Sequence, residues 1–437
     1  MSSSLAPSNS PDLSSSLEQR QLAGGSPLWL LHRPGPAILS AKLWLRGGSS
    51  ADPGGQRGAA QLLAGVLSRG CGELSGEALA DLVEGHGAGL RCEAAEDATL
   101  LSLKCASDDA ERLLPLLLQM VRSPWLVDDQ IALERQLNLQ TLQRQREDPF
   151  QLCHDHLRQQ LYGTGPYGHD PLGVEEDLEN LSRPQLLEQA AALGSQGSVL
   201  VLAGQIPSGV EAMLLSGLEG GPWTSGPPER RQGPAGHPSA GLCRCQDDTE
   251  QLVLMLGTTT VPLGTPEALA LRLLHCHLGV GMSSRLFVAL REEHGLAYDV
   301  GVHHPARLGD APFVMHLSSS SERARDATTE LLNEWQRLLE EPLSQEELDL
   351  ALAKFRGQEA LGRQTCSQLA DRLALVLGHG LPADFADRCL EQASQLTPAD
   401  LHQVAQRLLR QPSLSLCGPA EALQAGERIW QQHPLSR

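Results

Sequence analysis

The order of structural signals in this chain occurs twice, and that repetition limits the folds open to it more than any single motif. In the first half, strand-like stretches at Leu28–Leu31 and Ile38–Arg46 precede helical patterns at Gly58–Ser68 and Gly76–Gly85. A Gly89-Leu90 hairpin follows with its return strand at Thr99–Cys105, and then Ser107-Asp108 offers caps to an apolar helix at Ala110–Met120. Helices over Asp128–Arg146 and Pro149–Leu161 and a closing strand at Ser198–Leu202 complete the half. In the second half the order returns: strand Leu252–Thr258, helices Glu267–Leu278 and Ser284–His294, a Gly295-Leu296 hairpin with return strand Phe313–Ser318, hydroxyl caps at Ser320-Ser321 and a helix over Glu322–Leu339. Such self-similarity points to duplication of one α/β unit of roughly 200 residues.

The length of 437 residues agrees, because single cores rarely grow beyond roughly 250–300 residues. We assign residues 1–17 to a Ser/Pro-rich disordered tail, 18–215 and 242–437 to two domains, and 216–241, with its Gly-Pro-Trp, Gly-Pro-Pro and Gly-Pro steps, to the linker. A net charge of -19 argues against nucleic acid as a partner, since phosphate backbones need clustered cations. No apolar run reaches the roughly 18–20 residues of a membrane span, and the opening residues show no basic stretch followed by an apolar one. The expected location is the cytoplasm. Ten cysteines scattered through a large chain read as buried thiols and not as a disulfide framework; Cys243 and Cys245, two apart on a strand, are badly placed to bridge.

Several segments resemble the pitrilysin and insulinase-type zinc metallopeptidases, including the mitochondrial processing peptidase. Leu43-Trp44-Leu45-Arg46-Gly47-Gly48-Ser49-Ser50-Ala51-Asp52 is similar to the strand and turn before their zinc helix, and Tyr167-Gly168 with Asp170-Pro171-Leu172-Gly173 to a family loop. Gly281-Met282-Ser283-Ser284-Arg285-Leu286-Phe287, followed by Leu290-Arg291-Glu292-Glu293-His294-Gly295-Leu296-Ala297-Tyr298, resembles the family's second-half signature. The resemblance implies two homologous α+β domains, each a mixed sheet backed by helices, facing one another across a cavity that admits short or unfolded peptides.

It also implies a lost reaction. Peptide hydrolysis by zinc needs three protein ligands with an open position, a base for the water and a group that polarises the carbonyl. Where the family carries His-x-x-Glu-His, this sequence has Gln61, Ala64 and Gly65. Aligned on Glu147-Asp148-Pro149, the family's third ligand, a glutamate, falls on Thr141. Its substrate-side Asn-Ala-x-Thr segment falls on Arg91-Cys92-Glu93-Ala94. On residue chemistry alone, Gln61 to Gly65 is an ordinary packed helix.

Arg291 and Tyr298 keep the seven-residue spacing of the family's arginine and tyrosine that reach toward the substrate carbonyl. A guanidinium and a phenol suit an oxyanion hole; the plainer reading is a helix-end ion pair and a packed hairpin tyrosine. His275-Cys276-His277 and Cys153-His154-Asp155-His156 have metal-ligand residue types, but helical neighbours at i and i+2 face different ways, and His303-His304, in an expected hairpin, could bind metal only with distant help. They read as core or surface residues.

The expectation is therefore a chain with no zinc of its own, the non-catalytic, substrate-binding subunit of a heterodimeric zinc metallopeptidase. A related zinc-binding subunit would be its partner and a peptide its ligand. The competing reading is a peptide-binding or structural scaffold without a protease partner; an independently active peptidase using another metal site has little support.

Overall fold

The computed structural model describes residues 17–22, 25–216, 225–230, 232–237 and 240–437. The tail expected over 1–17 lies outside them except for Leu17, which opens a strand, and so does much of the linker. Gly241, the linker's expected last residue, opens a strand of the second sheet.

The strands in chain order are β1 (Leu17–Gln21), β2 (Pro27–His32), β3 (Ile38–Arg46), the short ladder β4 (Gly70–Cys71) and β5 (Leu74–Ser75), β6 (Gly89–Ala94), β7 (Ala98–Ala106), β8 (Ser198–Gly204), β9 (Gly241–Gln246), β10 (Gln251–Thr259), β11 (Asp299–His303), β12 (Pro312–Ser320) and β13 (Ser413–Gly418). One sheet runs β1-β2-β8-β3-β7-β6 and the other β9-β13-β10-β12-β11. Apart from β1, the two orders correspond strand for strand. Each has one parallel pair, β2 with β8 and β9 with β13, and is otherwise antiparallel. The molecule is thus a two-domain α+β fold with mixed sheets backed by helices, and the duplication read from the sequence is present in the strand pairing itself.

The central strands lack the one-sided alternation of a sheet facing water, because helices cover both faces. Along β3, Leu39, Ala41, Leu43 and Leu45 enter the core of their own half. The alternate residues face a helix of the other half, Cys366–Gly378. Lys42 pairs with Asp371 at 2.6 Å, and Arg46 Nη2 donates to the Gly378 carbonyl at 2.8 Å. Trp44, Val199, Val201 and Ala203 pack with Leu369, Leu373 and Leu377. Gly378 permits this approach, since a Cβ there would lie 2.3 Å from the Trp44 ring. The exchange is reciprocal. Helix Pro149–Tyr162 of the first half lies on the second sheet, where Cys153, Leu157 and Leu161 pack with Val253, Met255 and Cys417.

A polar latch reinforces this junction. Asp97 accepts the Tyr167 hydroxyl at 2.5 Å and the Leu308 N–H at 2.7 Å, while the Gly309 N–H donates to Tyr167 Oη at 3.0 Å. Burial pulls Asp97 upward, but the nearby His379 and the hydrogen bonds from Tyr167 and Leu308 outweigh that and leave its carboxyl below the usual range. All ten cysteines are free thiols.

Candidate functional site

Helix Ala59–Leu67 is apolar on almost every side, with Ala59, Leu62, Leu63, Ala64, Val66 and Leu67 buried. Asp52 caps its start, accepting the N–H groups of Gly58 at 2.7 Å and Ala60 at 2.9 Å. Of the three positions read as degenerate zinc-site places, Gln61 is half-buried, Ala64 is fully buried and Gly65 faces helix Asp128–Gln145.

What Gly65 faces is decisive. A Cβ built on it would stand 2.6 Å from Glu134 Oε2. Glu134 is held by Arg69 through Nε and Nη2, so its carboxylate fills the space next to position 65 and is already paired. Thr141, two turns further along the same helix, donates its hydroxyl to the Leu137 carbonyl at 2.8 Å. The carboxylate that meets helix Ala59–Leu67 therefore comes from Glu134, which the sequence reading missed. Its signal was the 3.6-residue rhythm of buried positions Ile131, Glu134, Asn138 and Leu142, which puts a glutamate on an inward face.

These residues do not fit a zinc ion. An amide, a methyl, a glycine and a carboxylate committed to Arg69 cannot supply the three ligands such a centre needs. Among the described residues no group of three or more His, Cys, Asp or Glu side chains is placed to hold a metal. Strand β6, which contains Arg91-Cys92-Glu93-Ala94, is a sheet edge that among the described residues pairs with β7 alone, and it exposes Arg91 and Glu93.

The second-half pair does come together. The expected helix over Ser284–His294 is wound as a π-helix at Phe287–Glu293, which buries Leu290 and exposes Arg291. Arg291 Nη1 donates to the Tyr298 carbonyl at 3.0 Å, and its guanidinium lies 5.1 Å from the Phe287 ring centre. The Tyr298 N–H donates to Ser318 at 2.9 Å, and the side chain is 63% exposed just before the edge strand β11. Arg291 is thus tied to the main chain of Tyr298, and among the described residues it forms no ion pair with Glu292 or another neighbouring acid.

The histidine segments separate. His154 and His303 meet from opposite halves, rings perpendicular with centres 5.5 Å apart, and Arg158 Nη2 donates to His154 Nδ1 at 3.2 Å. Burial, helped by Arg158, pushes His154 down to about 3, and burial with Arg307 nearby takes His303 to about 4, so both rings are neutral near pH 7. His277 is buried beside Glu347, whereas His275 borders a cavity.

Two similar α+β halves, the first with the buried helix Ala59–Leu67, give the architecture that the metallopeptidase resemblance implies. Residues 30–173 match the family model for insulinase (peptidase family M16), and residues 192–355 match that for the peptidase M16 inactive domain. The chain belongs to the M16 family. It is 23% identical over 409 residues, 91% of this chain and 97% of the relative, to an uncharacterized zinc protease of Rickettsia bellii. It is 24% identical over 371 residues, 82% of this chain and 84% of the relative, to the non-peptidase homolog YmxG of Helicobacter pylori. Among solved structures, a peptidase M16 inactive domain from Pseudomonas fluorescens superposes with a TM-score of 0.83 at 23% identity, covering 92% of this chain and 98% of the other. No helix of the described residues is long and apolar enough to cross a membrane.

Proposed function

We propose that this chain is the non-catalytic, substrate-binding subunit of a two-chain M16 peptidase that acts on short or unfolded peptides, the zinc being carried by a related partner. The observation that carries this reading is a contrast. Helix Ala59–Leu67, which the resemblance reads as the metal helix, has position 65 closed by the Glu134–Arg69 pair, while Arg291 and Tyr298 are kept together and exposed on the other half. In the complex these two side chains face the scissile carbonyl and stabilise the negative charge that develops on it. The name of the Helicobacter relative, a non-peptidase homolog, supports the absence of catalysis by the chain alone.

Two measurements test it. The purified chain binds no stoichiometric zinc and cleaves no peptide; near-stoichiometric zinc with chelator-sensitive cleavage overturns the reading. Mixed with a related chain that has an intact His-x-x-Glu-His helix, it forms an active heterodimer. In that heterodimer Tyr298→Phe and Arg291→Ala each lower kcat by about 100- to 1000-fold with little change in KM. Normal turnover by both variants in an assembled complex makes this chain a scaffold.

A further inference from the structure

A cavity of about 290 Å³ lies between helices Pro266–Gly279, Cys366–Gly378 and Phe385–Ala393, apart from the residues discussed above except His275 and His304. Two arginines line it. Arg272 Nη2 donates to Glu359 Oε1 at 2.7 Å, and Arg372 Nη2 holds the other oxygen of the same carboxylate. Glu359 is only 3% exposed at its side chain, whereas each arginine side chain retains 30%.

One carboxylate cannot neutralise two guanidiniums. Asp387, the next acid near Arg372, is bonded to Arg363 at 2.6 Å, and among the described residues no Asp or Glu borders the cavity. His275 and His304 do border it, but burial lowers both, His304 to about 4, so they are uncharged near pH 7. His304 is further fixed by its Nδ1–H bond to the Pro312 carbonyl at 2.9 Å. Burial also lowers Arg272 and Arg372, and Arg372 feels the repulsion of Arg272 beside it. The site therefore holds one surplus positive charge, of the kind that a bound anion would relieve.

The rest of the wall is apolar, with Val261, Leu263, Val376 and Phe385. Guanidinium forks match the geometry of a carboxylate. The volume sits at the lower edge of the roughly 300–1,000 Å³ usual for ligand sites, which limits the occupant to a small body.

We propose that this cavity binds a small organic carboxylate with an apolar body, a free acid or the C-terminal residue of a peptide, its carboxylate on Arg272 and Arg372 and its hydrocarbon against Val261, Leu263, Val376 and Phe385. The site requires neither a partner chain nor zinc, so it stands or falls separately from the heterodimer reading.

Titration calorimetry on the full chain tests it. The probes are 4-methylpentanoate, the uncharged 4-methylpentanamide, and a short peptide ending in leucine as free acid and as amide. We expect at least one of the two acids to saturate a single site, with its amide at least about tenfold weaker. Ala386→Phe fills the cavity without touching its charges and abolishes binding; Arg372→Gln weakens it about tenfold to a hundredfold. Should Arg372→Gln fail to fold, Ala386→Phe carries the test, with folding checked by a melting curve. Both acids binding in competition, or the peptide acid alone, marks a peptide C-terminus; binding of the small acid alone marks a free acid. Equal binding of acid and amide, no binding of either acid, or binding unchanged by Ala386→Phe overturns the proposal.

Discussion

Each half sets a buried glutamate of a long helix against an arginine in or just beyond its neighbouring helix, but the two halves balance the charge differently. In the first, Glu134 of helix Asp128–Gln145 meets Arg69, just beyond helix Ala59–Leu67. In the second, Glu359 of helix Gln345–Leu361 meets Arg272 of helix Pro266–Gly279 and also Arg372, which arrives on the helix that crosses to the other sheet. One helix pair is neutral and closed over a glycine; the other is overcharged and opens on a cavity. A duplicated fold can thus turn the same junction into packing in one copy and into a place for a ligand in the other.

The largest effect should come from removing the overworked carboxylate. Glu359→Gln leaves two guanidiniums without their common partner and should cost about 3–5 kcal/mol, read as a fall in the urea midpoint. A loss below about 1 kcal/mol would mean that water already neutralises the pair.

Acid should weaken the overcharged side next. His304 is held near 4, below its unfolded value near 6.5, so the unfolded chain binds more protons between those values. Its contribution is complete above about pH 6.5 and is lost as pH falls toward 4, at up to about 1.4 kcal/mol per pH unit. His304→Asn should flatten that part of the stability–pH curve, and an unchanged slope would remove His304 from the account.

Glu134→Gln should cost less, about 1–2 kcal/mol, because Arg69 is 36% exposed and can turn to water. A cost equal to that of Glu359→Gln would erase the distinction between the two junctions. The smallest effect belongs to Tyr298→Phe, within about 0.5 kcal/mol on the isolated chain, since its ring is exposed. A larger loss would assign the phenol a packing role.

Much of this architecture was legible in the sequence, because hydrophobic period and capping residues report local structure. The helix over Glu267–Leu278 and the strand over Leu252–Thr258 lie within Pro266–Gly279 and Gln251–Thr259. The continuous burial of Ile38–Arg46 was the trace of helices on both faces, but which helices they were depended on contacts more than 300 residues away, such as Lys42 with Asp371. The site divided along the same line. Gln61, Ala64 and Gly65 were assigned to the ligand places by the resemblance alone, and Arg291 and Tyr298 were paired by their seven-residue spacing. Glu134 beside Gly65 and Arg372 beside Glu359 exist only through helix packing, which local periodicity does not encode.

The reciprocal helix exchange sets an order of events during synthesis. Leu31, Trp44, Val199, Val201 and Ala203 form an apolar sheet face as soon as β8 is made, yet its cover starts 162 positions later, at Cys366. At roughly 5–20 residues per second, that surface stays open on the ribosome for about 8–30 s. The nascent first half is therefore a natural client for chaperones that hold apolar surface, and a ribosome stalled anywhere between β8 and helix Cys366–Gly378 releases a sticky fragment in place of an autonomous domain.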